Sequence, residues 1–70
     1  MGERISVLVN GDAHEIASGL SVAEMLEALG LPGGRVAIER NLQILPRTSW
    51  NDTQVAAGDR YEIVQFVGGG

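Results

Sequence analysis

The sequence predicts an α+β domain: one short helix packed on a mixed sheet of about four to five strands. Three features carry this prediction. An alternating apolar run ends in Asn10-Gly11, a hairpin signal. Val22, Met25, Leu26 and Leu29 recur at i, i+3, i+4 and i+7, the spacing of one apolar helix stripe. Further strand-like runs follow that stripe, and the longest is Arg60 to Val67.

Ile5-Ser6-Val7-Leu8-Val9 is the first strand, with Ile5, Val7 and Val9 on one face. Asn10-Gly11 suits a type I′ turn, whose two central residues both need positive φ. Ala13 to Ala17 returns as a weaker strand built around Ile16. Ser21 and Glu24 have the spacing of a capping box, and Leu20 can staple onto Met25, so a helix is expected over 22–29. Gly30 suits the left-handed position after the helix, and Pro32 cannot continue it. Val36-Ala37-Ile38-Glu39 is a strand, Arg40-Asn41 a turn and Leu42-Gln43-Ile44-Leu45 a short strand. A polar stretch from Pro46 to Thr53 surrounds Trp50, and Gly58-Asp59 turns into the last strand.

A single amphipathic helix must bury its stripe, and one face of a sheet is the available surface. The first and last strands are the most apolar and are expected side by side in the middle. A mixed sheet clasping one helix after a hairpin is the ubiquitin-like β-grasp arrangement. The domain is expected over 1–67, with a flexible glycine tail at 68–70.

Composition narrows the function. Seventy residues make one small domain with no room for both a core and a deep pocket. The absence of cysteine excludes a disulfide framework, a Cys/His zinc site and a cysteine nucleophile. It also fits a reducing compartment, and a cytoplasmic protein is expected. A net charge of −4, with scattered arginines and no lysine, argues against a nucleic-acid partner. No apolar run approaches the roughly 20 residues of a membrane helix, and Met1-Gly2-Glu3-Arg4 lacks the apolar stretch of a signal peptide. Met1 to Ser6 matches a myristoylation pattern, but Ile5 already belongs to a strand and no polybasic second signal is present.

Most isolated motifs have ordinary explanations. His14 has no cysteine or carboxylate arranged with it for nucleophilic or metal chemistry and reads as a solvent-exposed strand residue. Trp50 reads as a core residue under a loop. Gly30-Leu31-Pro32-Gly33-Gly34 follows a helix and lacks the Lys-Ser/Thr of a phosphate-binding loop, so it is a turn. Asp52 and Asp59 sit at turn positions, where Asp commonly bonds nearby backbone. Asn51-Asp52-Thr53 matches a glycosylation sequon without any sign of secretion.

The C-terminal end stands apart. Gly68-Gly69-Gly70 follows the last strand directly. Glycine carries no Cβ, so such a segment is thin, and three residues span roughly 10 Å. Its α-carboxylate, with a reference pKa of about 3.3–3.7, is an anion at neutral pH and a poor electrophile until activated. A frayed terminus is the more ordinary reading of three glycines alone. The strand pattern adds weight to a functional one: if Ile5, Val7, Val9, Tyr61 and Ile63 face the helix, Leu8, Val64 and Phe66 fall on the opposite face. Together with Val67, they would form an apolar docking patch leading to the tail.

Three segments then carry a family resemblance: Val36-Ala37-Ile38-Glu39-Arg40-Asn41, Ile44-Leu45-Pro46-Arg47, and Gly58-Asp59-Arg60-Tyr61-Glu62-Ile63-Val64-Gln65-Phe66-Val67-Gly68-Gly69-Gly70. With Val9-Asn10-Gly11 and the helix, they resemble the thiamine-biosynthesis sulfur carrier proteins (ThiS) over nearly the whole chain. The resemblance implies a β-grasp fold and a co-substrate rather than an enzyme. It implies that an activating enzyme related to those that charge ubiquitin adenylates the Gly70 carboxylate, using ATP and magnesium that this chain does not itself bind. Sulfur from a donor such as a cysteine desulfurase system then gives a thiocarboxylate, and thiazole synthase accepts it. Gly68 and Gly69 would supply reach and clearance. Two other readings stay open: the small subunit of molybdopterin synthase, and a plain β-grasp interaction module or protein modifier.

Overall fold

The computed structural model describes residues 2–31 and 34–66. Alternating apolar residues make β1 (Arg4–Val9), which turns at Asn10-Gly11 into β2 (Asp12–Ala17). Asn10 and Gly11 have φ of 51° and 86°, the left-handed pair expected of a type I′ turn. Helix α1 (Val22–Ala28) begins at Ser21. The Ser21 hydroxyl accepts the Glu24 N–H, and the Glu24 carboxylate accepts the Ser21 N–H at 2.8 Å, closing the capping box. Leu29 is the C-cap, one residue earlier than the stripe suggested, and Gly30 follows with φ 69°.

The second half contributes β3 (Val36–Arg40), β4 (Gln43–Leu45), a 3-10 turn (Arg47–Ser49) and β5 (Arg60–Gln65). The β3–β4 turn is Asn41-Leu42 rather than Arg40-Asn41. Both residues are left-handed, with φ of 51° and 73°, so Arg40 completes β3 and pairs with Gln43. The last strand stops at Gln65 instead of Val67. Phe66 still donates its N–H to the Arg35 carbonyl at 2.7 Å. Val67 and the 68–70 tail lie outside the described residues, as does the expected boundary between them.

The sheet order is β2-β1-β5-β3-β4, with β1 and β5 parallel and the other pairs antiparallel. The first and last strands are therefore adjacent, as the apolar content predicted. Val7, Val9, Ile38 and Tyr61 turn to the helix and bury against Val22, Met25 and Leu26. Trp50 and Val55 close the remaining side of the core, and the Trp50 indole N–H donates to the Leu45 carbonyl at 3.1 Å. His14 differs from expectation. It pairs with Val7, which puts it on the helix side of the sheet, where it is half-buried rather than solvent-exposed. This is a helix clasped by a five-stranded mixed sheet, the β-grasp arrangement.

Candidate functional site: the outer sheet face and the root of β5

The face of the sheet turned away from α1 has no second layer among the described residues. Period-2 alternation puts Leu8, Ala37, Glu39, Ile44, Arg60, Glu62 and Val64 on it, in register across four strands. Val64 and Phe66 are each 58% exposed, and Leu8 is half-buried. Leu8 and Val64 lie on this face as the alternation implied, Phe66 is exposed just beyond β5, and Val67 lies outside the described residues. Two further apolar side chains belong to the exposed set: Leu42, at 85% exposure, and Ile44, at 67%. The signal for Ile44 was present in the sequence. Ile44 and Leu45 are adjacent, and a strand cannot bury both on one face. Leu42 had no such signal, because its exposure follows from the left-handed turn.

Beside this patch, Leu8, Leu42, Glu39, Arg60 and Glu62 line a shallow hollow of about 150 Å³. A larger groove of about 410 Å³ lies on the helix side, between Leu26, Leu31 and Trp50, where the Arg47 guanidinium stacks 4.6 Å from the indole centroid. Neither hollow gathers catalytic groups. Among the described residues, no group of three or more His, Cys, Asp and Glu side chains could hold a metal. No helix among them is long and apolar enough to cross a membrane.

Among the described residues, the root of β5 is the one place where charge is buried. Asp59 is 5% exposed. Its Oδ2 accepts from the Ala56 N–H at 2.9 Å, the Tyr61 hydroxyl at 2.8 Å and the Arg40 Nε at 3.0 Å. Its Oδ1 accepts from the Asn41 Nδ2 at 3.1 Å. The expected backbone bond of a turn aspartate is present, but it is one part of a knot joining β3, the β3–β4 turn and β5. Sequence reading missed this knot because Arg40 and Asp59 lie far apart along the chain. A buried tyrosine, which needs a partner for its hydroxyl, was the available hint. Burial pushes the Asp59 carboxyl up, yet the hydrogen bonds from Ala56, Tyr61 and Asn41 and the Arg40 charge together hold it below its ordinary value. Burial first, then the Asp59 hydrogen bond, pushes the Tyr61 hydroxyl up to about 12.

A helix clasped by a five-stranded mixed sheet, with exposed apolar side chains on the face away from the helix, defines a ubiquitin-like β-grasp domain. Comparison with known proteins narrows the class. Residues 7–70 match the ThiS family. The sulfur carrier protein ThiS of Escherichia coli K12 is 35% identical over 66 residues, covering 94% of this chain and all of that protein. A crystal structure of the thiamine biosynthesis protein ThiS from Geobacter metallireducens superposes with a TM-score of 0.81 at 35% identity, covering 94% of this chain and all of that one. A thiazole synthase of Paramagnetospirillum magneticum is 38% identical over 66 residues, and the chain spans only 20% of that protein's length. A second thiazole synthase, from Magnetococcus marinus, is 30% identical and is likewise covered over 20% of its length. The chain belongs to the ThiS family.

The Asp59 knot makes a pH-dependent prediction. Its folded pKa lies below the unfolded reference of about 3.9, so the stabilisation is complete above that reference and lost as pH falls through the folded value. Asp59→Asn removes the charge and should cost about 2 kcal/mol at neutral pH, read by urea unfolding. The gap between wild type and variant should narrow below about pH 4. A gap independent of pH would contradict the assignment. At the alkaline end the sign is opposite. Neutral Tyr61 is favoured in the fold, so stability should fall as pH rises from about 10 towards 12, and Tyr61→Phe should flatten that decline.

Proposed function

We propose that this chain is a sulfur carrier of thiamine biosynthesis and that the Gly70 carboxylate bears the sulfur. The match of residues 7–70, glycine end included, to the ThiS family carries this reading. A resting carboxylate resists nucleophiles and must first be made electrophilic. One of its oxygens attacks the α-phosphorus of ATP, pyrophosphate leaves, and an acyl adenylate forms. The terminal sulfur of a donor persulfide then displaces AMP to give an acyl disulfide, and a thiol attacks the donor-side sulfur, releasing the thiocarboxylate and leaving the donor sulfur in a disulfide with that thiol. An activating enzyme of the kind that charges ubiquitin supplies ATP, magnesium and the catalytic groups. A cysteine desulfurase system is the sulfur source, and thiazole synthase the acceptor. The chain itself is a cytoplasmic co-substrate, not an enzyme.

Two observations support the choice of acceptor and the mode of docking. The thiazole synthases similar to this chain match it over a fifth of their own length, so a stretch resembling the carrier occurs within chains that carry the acceptor's name. Val64 on β5 and Phe66 just after it are both exposed, only a few residues before the glycines in the sequence, so a partner that takes up Gly70 would meet them. Gly68 and Gly69 add no side chain to the path. No observation favours the molybdopterin-synthase-subunit or protein-modifier readings.

Removing Gly70, or extending the chain beyond it, should abolish sulfur transfer to thiazole synthase while leaving the circular dichroism spectrum unchanged; transfer from a blocked terminus would defeat the mechanism. Replacing Phe66 with Asp should weaken affinity for the activating enzyme by about tenfold, since a charge in a desolvated apolar contact costs at least about 1.4 kcal/mol. Calorimetry that finds equal affinity would remove the outer face from the docking surface.

A further inference from the structure

Strand β5 is paired unequally on its two flanks. On one side β3 accompanies it throughout, from Arg40↔Tyr61 to Val36↔Gln65. On the other, β1 pairs with it at only two positions, Leu8↔Arg60 and Val9↔Tyr61. At Asn10 the backbone turns left-handed and departs for β2, after its N–H has donated to the Tyr61 carbonyl at 2.8 Å. The Asn10 side chain then continues the ladder. Its Oδ1 accepts the Ile63 N–H at 2.7 Å, and its Nδ2 donates to the Ile63 carbonyl at 3.3 Å. One primary amide thereby offers Ile63 the acceptor and donor that a neighbouring strand would have offered.

A related contact to β5, with the side chain as acceptor only, occurs on the opposite flank. Asn41, also at φ 51°, donates its N–H to the Arg60 carbonyl at 2.8 Å and accepts the Arg60 N–H on Oδ1 at 2.9 Å. Turn geometry does not require asparagine at either place, because Asp and Gly also suit the left-handed position. Only the amide supplies an acceptor and a donor together at this side-chain length. Aspartate would set a carboxylate oxygen against the Ile63 carbonyl, and glycine would leave that peptide without its partner. Without Asn10, β5 beyond Tyr61 would be bonded on the β3 side alone, and strands held by few bonds open locally at low cost.

We infer that Asn10 is a positioning residue for the reaction at Gly70: its side-chain amide clamps Ile63 and so fixes the strand end from which residues 67–70 continue. The inference rests on the sulfur-carrier reading above. Asn10→Gly keeps the turn and removes the amide. Asn10→Asp keeps the turn and an acceptor but loses the donor.

Two measurements test the clamp: residue-resolved amide hydrogen exchange, and the kinetics of adenylation by the thiamine-pathway activating enzyme. In Asn10→Gly the Ile63 amide should exchange about tenfold faster, while the amides of Val7 and Ile38 keep their wild-type rates. The kcat should fall by about tenfold with KM for the carrier nearly unchanged, because docking is intact and presentation is not. Asn10→Asp should fall between wild type and Asn10→Gly, and it carries the test alone if the glycine variant does not fold. Wild-type exchange at Ile63, acceleration spread evenly over the sheet, or an unchanged kcat would overturn the inference. Wild-type carrier that is never adenylated would instead count against the sulfur-carrier reading.

Discussion

Strand β5 sits in the middle of the sheet, parallel to β1 and antiparallel to β3, with the Asp59 carboxylate buried at its root. That carboxylate is acceptable inside a small core because Arg40, Tyr61, Asn41 and the Ala56 N–H all point donors at it. Leaving any of these donors without the acceptor would strand a polar group at the junction of two hairpins. No buried side-chain nitrogen or oxygen among the described residues lacks a partner. The rest of the fold follows from this anchored strand. Its inner residue Tyr61 packs into the core with Ile38 and Met25, its outer residue Val64 remains exposed, and its end leads on to the glycines.

Local signals in the sequence were read well because they act over a few residues. Asn10-Gly11 demanded a left-handed pair and received one. Ser21 and Glu24 made the capping box, and Gly30 ended the helix. Alternation in β1 and β5 separated Val7, Val9 and Tyr61 from Leu8 and Val64. What escaped depends on contacts between distant segments. The Arg40–Asp59 ion pair exists only once β3 and β5 are neighbours, and the half-burial of His14 follows from its register against Val7. The β3–β4 turn shifted by one residue because Leu42 takes a left-handed conformation uncommon for a residue with a Cβ, so nothing in its side chain announced it.

The asparagines illustrate the same limit from another side. Both stand where a turn asparagine is expected, and the turn accounts for their backbone. Their side chains, however, reach across to β5 and bond Ile63 and Arg60. A residue type chosen locally is thus used a second time in the tertiary structure. On the proposed sulfur-carrier reading the domain holds out a reactive end, and the inferred Asn10 clamp would steady the strand behind it. Leu42 and Ile44 widen the exposed apolar set beyond what alternation in β5 suggested.

The most direct measurement is the intact mass of the protein after incubation with ATP, a sulfur donor and the thiamine-pathway activating enzyme. The sulfur-carrier account predicts a gain equal to one oxygen replaced by one sulfur, mapped by fragmentation to Gly70. No gain, with an activating enzyme that charges another carrier under the same conditions, would contradict it.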